Sequence, residues 1–154
     1  MRILIVAVGK PRDAALAEAI HEYEVRAARY WSLRVVEVRA ESARGRSSEA
    51  VRERESQRLL DSVAGARVVA CEVDGKAMRS EEFAEWLKKE RDLSSPDIAF
   101  LIGGASGLGP AARKAAHARL SLSPWTLQHE IARLVLAEQL YRAGTIIRGE
   151  PYHK

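Results

Sequence analysis

A single cysteine, Cys71, stands in a chain of 154 residues. No intrachain disulfide can form, which fits a reducing compartment, expected to be the cytoplasm. No apolar run approaches the length of a membrane span. The opening run Ile3 to Val8 is too short for a secretory leader, and no small-residue cleavage site follows it. No membrane association and no metal are expected. Charge of one sign is scarce as well. The 25 Lys and Arg face 21 Asp and Glu, and the net charge of +4 permits an anionic partner without demanding one. There is no internal repeat, low-complexity tract or linker, and the length suits a single domain over residues 1–154. No Gly-Lys-Ser/Thr follows a glycine-rich turn, which excludes a phosphate-binding P-loop.

What is present is an alternation of short apolar runs with helical patterns. Ile3 to Val8 and Ile98 to Ile102 are unbroken apolar runs, the mark of strands buried on both faces. Leu33 to Val38 and Val68 to Val73 are two further strands, the latter expected to close on the Asp74-Gly75 turn. Leu120 to Leu122 is a short fifth strand. After Pro11 and Asp13, Leu16, Ile20, Tyr23, Ala27 and Tyr30 recur at helical spacing and define one core face. A charged helix ends near Ala64 with Val51, Leu59, Leu60 and Val63 inward. Ser80 is expected to cap a helix that runs to about Arg91. Pro110 opens a helix at its first turn, where a missing N–H costs nothing. Thr126 to about Ala143 forms a last helix, apolar on almost every side. Such a helix is buried within the domain or against another subunit. The alternation predicts an α/β fold, a parallel sheet with helices on both faces. Ligands of such sheets sit beyond the carboxyl ends of the strands. Three of those ends are chemically distinctive, Cys71, Gly103 and Leu122, and they are expected to be neighbours in space.

Most of the chemical information lies from Leu101 to Lys154. Gly103-Gly104, with Gly107 and Gly109 following, allows a sharp turn and close approach of a ligand to the main chain. The plainer reading is a tight strand-to-helix turn. Gly107, Gly109 and Ala112 match a dinucleotide fingerprint weakly, since they do not directly follow a strand. Leu122 to Leu127 could offer backbone groups to a flat heterocycle, with Trp125 or Leu127 as an apolar wall. The plainer reading has Thr126 capping the helix and Trp125 packing. Glu138 and Arg142 stand four residues apart, either an ordinary intrahelical ion pair or a charge pair at a pocket edge. His129 reads as structural, and Cys71 as inert and buried. The tail Gly149-Glu150-Pro151-Tyr152-His153-Lys154 has the composition to stack on a base and, with Arg148, to hold phosphate.

These residues resemble one family over the whole chain. LIGG at 101–104, LSLS at 120–123, the T-L-x-H of 126–129, EQLYRA at 138–143 and the terminal GEPYHK carry the resemblance, and the opening ILIVAVGK fits it. The family is the bacterial ribosomal RNA large-subunit methyltransferase H group, small enzymes of the SPOUT class. The resemblance implies an α/β fold with a C-terminal deep trefoil knot, which pattern reasoning alone would not propose. It implies a homodimer without a separate RNA-binding domain, S-adenosylmethionine as methyl donor, and as acceptor N3 of a pseudouridine. That base would lie in the helix 69 stem-loop of 23S rRNA within the 70S ribosome. By matching position, Cys71, Gly103, Leu122, Ser123, Pro124, Trp125, Thr126 and Leu127 would contact the cofactor. Glu138, Arg142, Tyr152, His153 and Lys154 would serve catalysis, with Arg142 and the tail ranked above Glu138. Cys71, Trp125 and Gly144 depart from the residues commoner at their positions, changing pocket shape but removing no chemical group.

RNA contacts are expected from the surface. Arg44, Arg46, Arg52 and Arg54 are candidates, diluted by Glu49, Glu53 and Glu55. Two rival readings remain at this point, a nucleotide-binding oxidoreductase built on Gly107 to Ala112, and a non-catalytic ribosome-associated RNA-binding protein.

Overall fold

The computed structural model describes residues Met1–Lys154. Five strands form one parallel sheet in the order β2-β1-β4-β3-β5. They are β1 (Arg2–Val8), β2 (Ser32–Val38), β3 (Arg67–Ala77), β4 (Ile98–Ile102) and β5 (Ala118–Ser121). The helices are α1 (Ala14–Ala27), α2 (Ser48–Asp61), α3 (Ser80–Asp92), α4 (Pro110–Ala115) and α5 (His129–Arg148).

The central strands β1 and β4 are buried on both faces, as their unbroken apolar runs require. Ile3, Ile5 and Ala7 of β1 join one core with α1, α3 and α5, while Leu4, Val6 and Val8 join another with α2 and α4. Crossovers of one hand demand this division. The connections through α1 and α3 step one way along the sheet, and those through α2 and α4 step the other way. Helix α5 lies between α1 and α3 and packs on both. There Arg133, almost fully buried, donates to Glu24 of α1 at 2.7 Å and to Glu37 of β2 at 3.0 Å. The last helix is therefore less uniformly apolar inside than its sequence suggests, since Glu130 is buried as well.

Several boundaries differ from expectation. Asp74-Gly75 does not end β3. The strand bulges over residues 72–75 and resumes, because Lys76 and Ala77 pair with Leu120 and Ser121. A Cβ on Gly75 would lie 2.6 Å from the Leu120 carbonyl carbon, so the close approach of β3 to β5 needs glycine there. Strand β5 is shifted, running Ala118–Ser121 and leaving Leu122 in the following loop. Ser80 does not cap α3. Arg79 holds the cap position, with its N–H donating to Glu82, and the Ser80 hydroxyl donates to Gln139 instead. Helix α5 begins at His129, not Thr126, because the Gln128 side chain accepts from the Glu130 and Ile131 N–H groups. It continues past Ala143 to Arg148, with Gly149 closing it in the left-handed conformation.

Candidate active site

Strand register brings the three distinctive ends together. Cys71 is paired with Ile102 on one side and Leu120 on the other. Past them the β3 bulge, the glycine turn after β4 and the loop 122–128 surround a cleft of about 240 Å³. Cys71, Gly103, Leu122, Ser123, Trp125, Thr126 and Leu127 all line it, while Pro124 does not. The turn after β4 folds back on itself, with Gly107 N–H donating to the Gly104 carbonyl at 3.0 Å. A Cβ on Gly103 would sit 2.5 Å from the Gly107 carbonyl carbon, so this wall is bare backbone. A second cleft of about 250 Å³ opens behind the turn and shares Gly104, Ser106 and His129 with the first. The buried Glu55 lines this second cleft. One of its oxygens accepts from Glu41 N–H at 3.0 Å, and the other faces Gly104 without a donor.

The loop 122–128 is pinned locally. Ser121 Oγ donates to the Ser123 carbonyl, and Ser123 Oγ accepts from Trp125 N–H, both at 2.9 Å. This turn leaves Trp125 79% exposed at the cleft, so it does not pack into the core. Thr126 is exposed too and caps nothing. Burial, with a smaller contribution from Glu72, pushes the Cys71 thiol up to about 12, so it contributes shape and no thiolate chemistry.

The tail forms a second cluster. It is docked rather than frayed. Tyr152 O–H donates to Glu138 Oε1 at 2.9 Å. Arg142 donates to the same oxygen from Nε at 3.0 Å and from its terminal nitrogen at 2.5 Å. Its guanidinium carbon stands 4.7 Å from the Tyr152 ring centre. Arg142 also approaches His153 Nδ1 at 3.2 Å, and His153 Nε2 lies 3.2 Å from Glu81. An arginine can only donate, so Nδ1 accepts and Nε2 carries the hydrogen shared with Glu81. Burial, then the bond to Glu138, raises the Tyr152 pKa, while that to Glu138 raises Arg142 most. Lys154 stays exposed at the end. No residue of this cluster lines the cleft. The two sites sit on α5 around Ala132 and Arg142, a separation of about 15 Å at 1.5 Å per residue.

A family described as "Predicted SPOUT methyltransferase" matches residues 1–153. The chain belongs to the SPOUT methyltransferases. Similar relatives include the ribosomal RNA large subunit methyltransferase H of Gemmatimonas aurantiaca, 58% identical with 100% of both chains covered. The protein of that name in Geobacter sp. strain M21 is 43% identical over 99% of each chain. Among solved structures, the Legionella pneumophila methyltransferase Lpg2936, in complex with the bound cofactor SAM, superposes with a TM-score of 0.51 at 11% identity. The match covers 93% of this chain and 66% of that one. A methylase-family protein of Haemophilus influenzae Rd KW20 gives 0.54 at 14%, covering 99% and 70%. These two likenesses bear on the fold.

In this SPOUT methyltransferase the sequence reading of separate strand ends and tail maps onto two separate clusters. His129, expected to be structural, lines both clefts, and Arg52, expected on the RNA-facing surface, reaches the first from α2. The surface arginines also divide. Arg46 is paired with Glu41, while Arg44 and Arg54 are exposed without an ion pair. No three His, Cys, Asp or Glu side chains group as metal ligands, and no helix is long and apolar enough to cross a membrane.

Proposed function

We propose that this enzyme transfers a methyl group from S-adenosylmethionine to N3 of a pseudouridine in the helix 69 stem-loop of 23S rRNA, acting as a homodimer on the assembled 70S ribosome in the cytoplasm. The observation that carries the reading is the convergence of the β3, β4 and β5 ends on one cleft, with bare glycine backbone on one wall and an exposed Trp125 in its lining. A bare glycine wall facing apolar side chains suits a flat adenosine, which can be read by main-chain groups. The full-length relatives named as large-subunit rRNA methyltransferases support the acceptor class.

The bound cofactor supplies an electrophilic methyl on a sulfonium. The residues lining the cleft hold it in line with the acceptor nitrogen, and alignment of this kind accounts for much of the rate in such transfers. The imide proton of the acceptor must leave, so a cation near the developing anion is useful. Arg142 fills that role. Glu138 is a poorer base, because its Oε1 already accepts from Arg142 and Tyr152. His153 has its Nδ1 turned to Arg142 and is freed for proton transfer only if that contact loosens.

The tail cluster lies too far along α5 to reach the cleft of its own chain. The tail that completes a cleft therefore comes from a second copy. Val25 of α1 and Ile131 of α5 are exposed apolar residues on neighbouring helices and suit such an interface. The course of the chain from β5 to a slot between α1 and α3 supports threading beneath the β3–α3 connection, the proposed trefoil knot. The deciding experiment is transfer of labelled methyl to assembled ribosomes lacking the modification, followed by mapping of the base. Label on a single pseudouridine of 23S rRNA is expected. Binding of ribosomes with no label transferred would favour a non-catalytic role and end this reading.

A further inference from the structure

Arg52 is the unpaired arginine of the cleft. It stands on α2, which is fastened to the glycine turn. Ser56 Oγ accepts from Gly109 N–H at 2.8 Å, and Glu53 accepts from Ala111 N–H at 3.2 Å. A Cβ on Gly109 would lie 3.3 Å from the Arg52 backbone, so helix and turn are in contact. The Arg52 side chain lines the cleft, and its Nε is shut off from solvent with no acceptor. Four other arginines near the cleft are engaged. Arg46 and Arg58 pair with Glu41, and Arg113 and Arg119 pair with Glu72. Glu72, next to Cys71 in the lining, is thereby neutralised, and Arg113 is spoken for. A buried guanidinium nitrogen without an acceptor is costly unless a ligand supplies one.

We propose that Arg52 holds the α-carboxylate of the methyl donor, so that the amino-acid end of the cofactor runs along α2. This rests on the reading of the cleft as the S-adenosylmethionine site. The guanidinium presents several N–H donors in one plane, which matches a carboxylate in two-point contact. A phosphate of the RNA backbone offers similar oxygens. It is the weaker fit, because Nε is enclosed within the wall while Arg44 and Arg54 stand free on the surface. Asp74, also in the lining and in no ion pair, gives the cleft an opposite charge for the ammonium of the same amino-acid end.

Calorimetry with two ligands tests this on the full chain. S-adenosylhomocysteine carries the amino-acid end, and 5′-methylthioadenosine lacks it. Wild-type protein is expected to prefer the former. Arg52→Gln should weaken S-adenosylhomocysteine about 10- to 100-fold, the range for one charge-assisted contact, and leave 5′-methylthioadenosine within about twofold. Arg52→Lys should recover part of the loss. Equal weakening of both ligands would make Arg52 a merely structural residue and overturn the proposal. Unchanged binding of both, with a higher KM for ribosomes and a shallower salt dependence, would reassign Arg52 to RNA phosphate. Failure of the wild-type chain to bind either ligand would remove the cofactor reading itself, and this inference with it.

Discussion

The Tyr152 hydroxyl donates to Glu138 Oε1 at 2.9 Å, and this bond ties the end of the chain to the middle of α5. Arg142 grips the same oxygen, so one carboxylate orients both a cation and a phenol. Tyr152→Phe is expected to cost about 1 kcal/mol of stability, the usual worth of one such bond. Methyl transfer should fall by about tenfold or more, with affinity for S-adenosylhomocysteine unchanged within about twofold. Removal of the last four residues should abolish transfer and still leave cofactor binding. Single-turnover kinetics and calorimetry on the same preparations check both. Full activity of the truncated chain would discard the tail.

Gly144 faces the Tyr30 ring. A Cβ there would fall 2.5 Å from Tyr30 Cβ and 2.7 Å from Cδ1, contacts that real side chains do not make. Tyr30 in turn packs against Tyr141, with ring centres 5.8 Å apart. Gly144→Ala gains helix propensity but forces Tyr30 out of its place, and overpacking of this kind costs about 1–3 kcal/mol. Denaturant unfolding should show the loss. A gain in stability would mean that the ring is free to move.

Arg133 joins three elements through Glu24 and Glu37. Its removal leaves two part-buried carboxylates without their cation. Arg133→Ala is expected to destabilise by about 3–5 kcal/mol. The same change made together with Glu24→Gln should cost less than the sum of the two single changes, because the stranded charge is gone. Strict additivity in a double-mutant cycle would count against the coupling.

Asp97 has its pKa held below the usual 3.8, first by the side-chain hydrogen bond from Arg2 and then by the Arg2 backbone N–H. A depressed carboxylate pKa stabilises the fold above the ordinary aspartate range and loses that contribution as pH falls through the folded value. The pair is open to solvent, so Asp97→Asn should cost under about 1 kcal/mol at neutral pH. The difference from wild type should close as pH drops below 3.8. A gap that persists in acid would point to the backbone contact rather than charge.

The strands β1 and β4 were readable because a strand covered on both faces must be apolar at every position, and both runs are. The start of α5 is hidden in the sequence because Thr126 has the chemistry of a cap, while the Ser123 turn and Gln128 decide where the helix begins. The continuation of β3 was hidden for a similar reason. Asp74-Gly75 has turn composition, and only pairing with β5 shows it to be a bulge. Nothing local in the sequence reveals that His129 faces two clefts.

By itself the order of residues determined the layered α/β architecture, the strand ends that meet at the cleft and the family to which the chain belongs, since burial periodicity and terminal motifs are local properties. Only the tertiary structure decided that Arg52 is left without a partner, that Arg133 bridges α5 to α1 and β2, and that the tail and the cleft are separate sites on one helix. The physical reason is the same in each case. Pairing and separation depend on distances between residues far apart in the chain, and no local pattern encodes those distances.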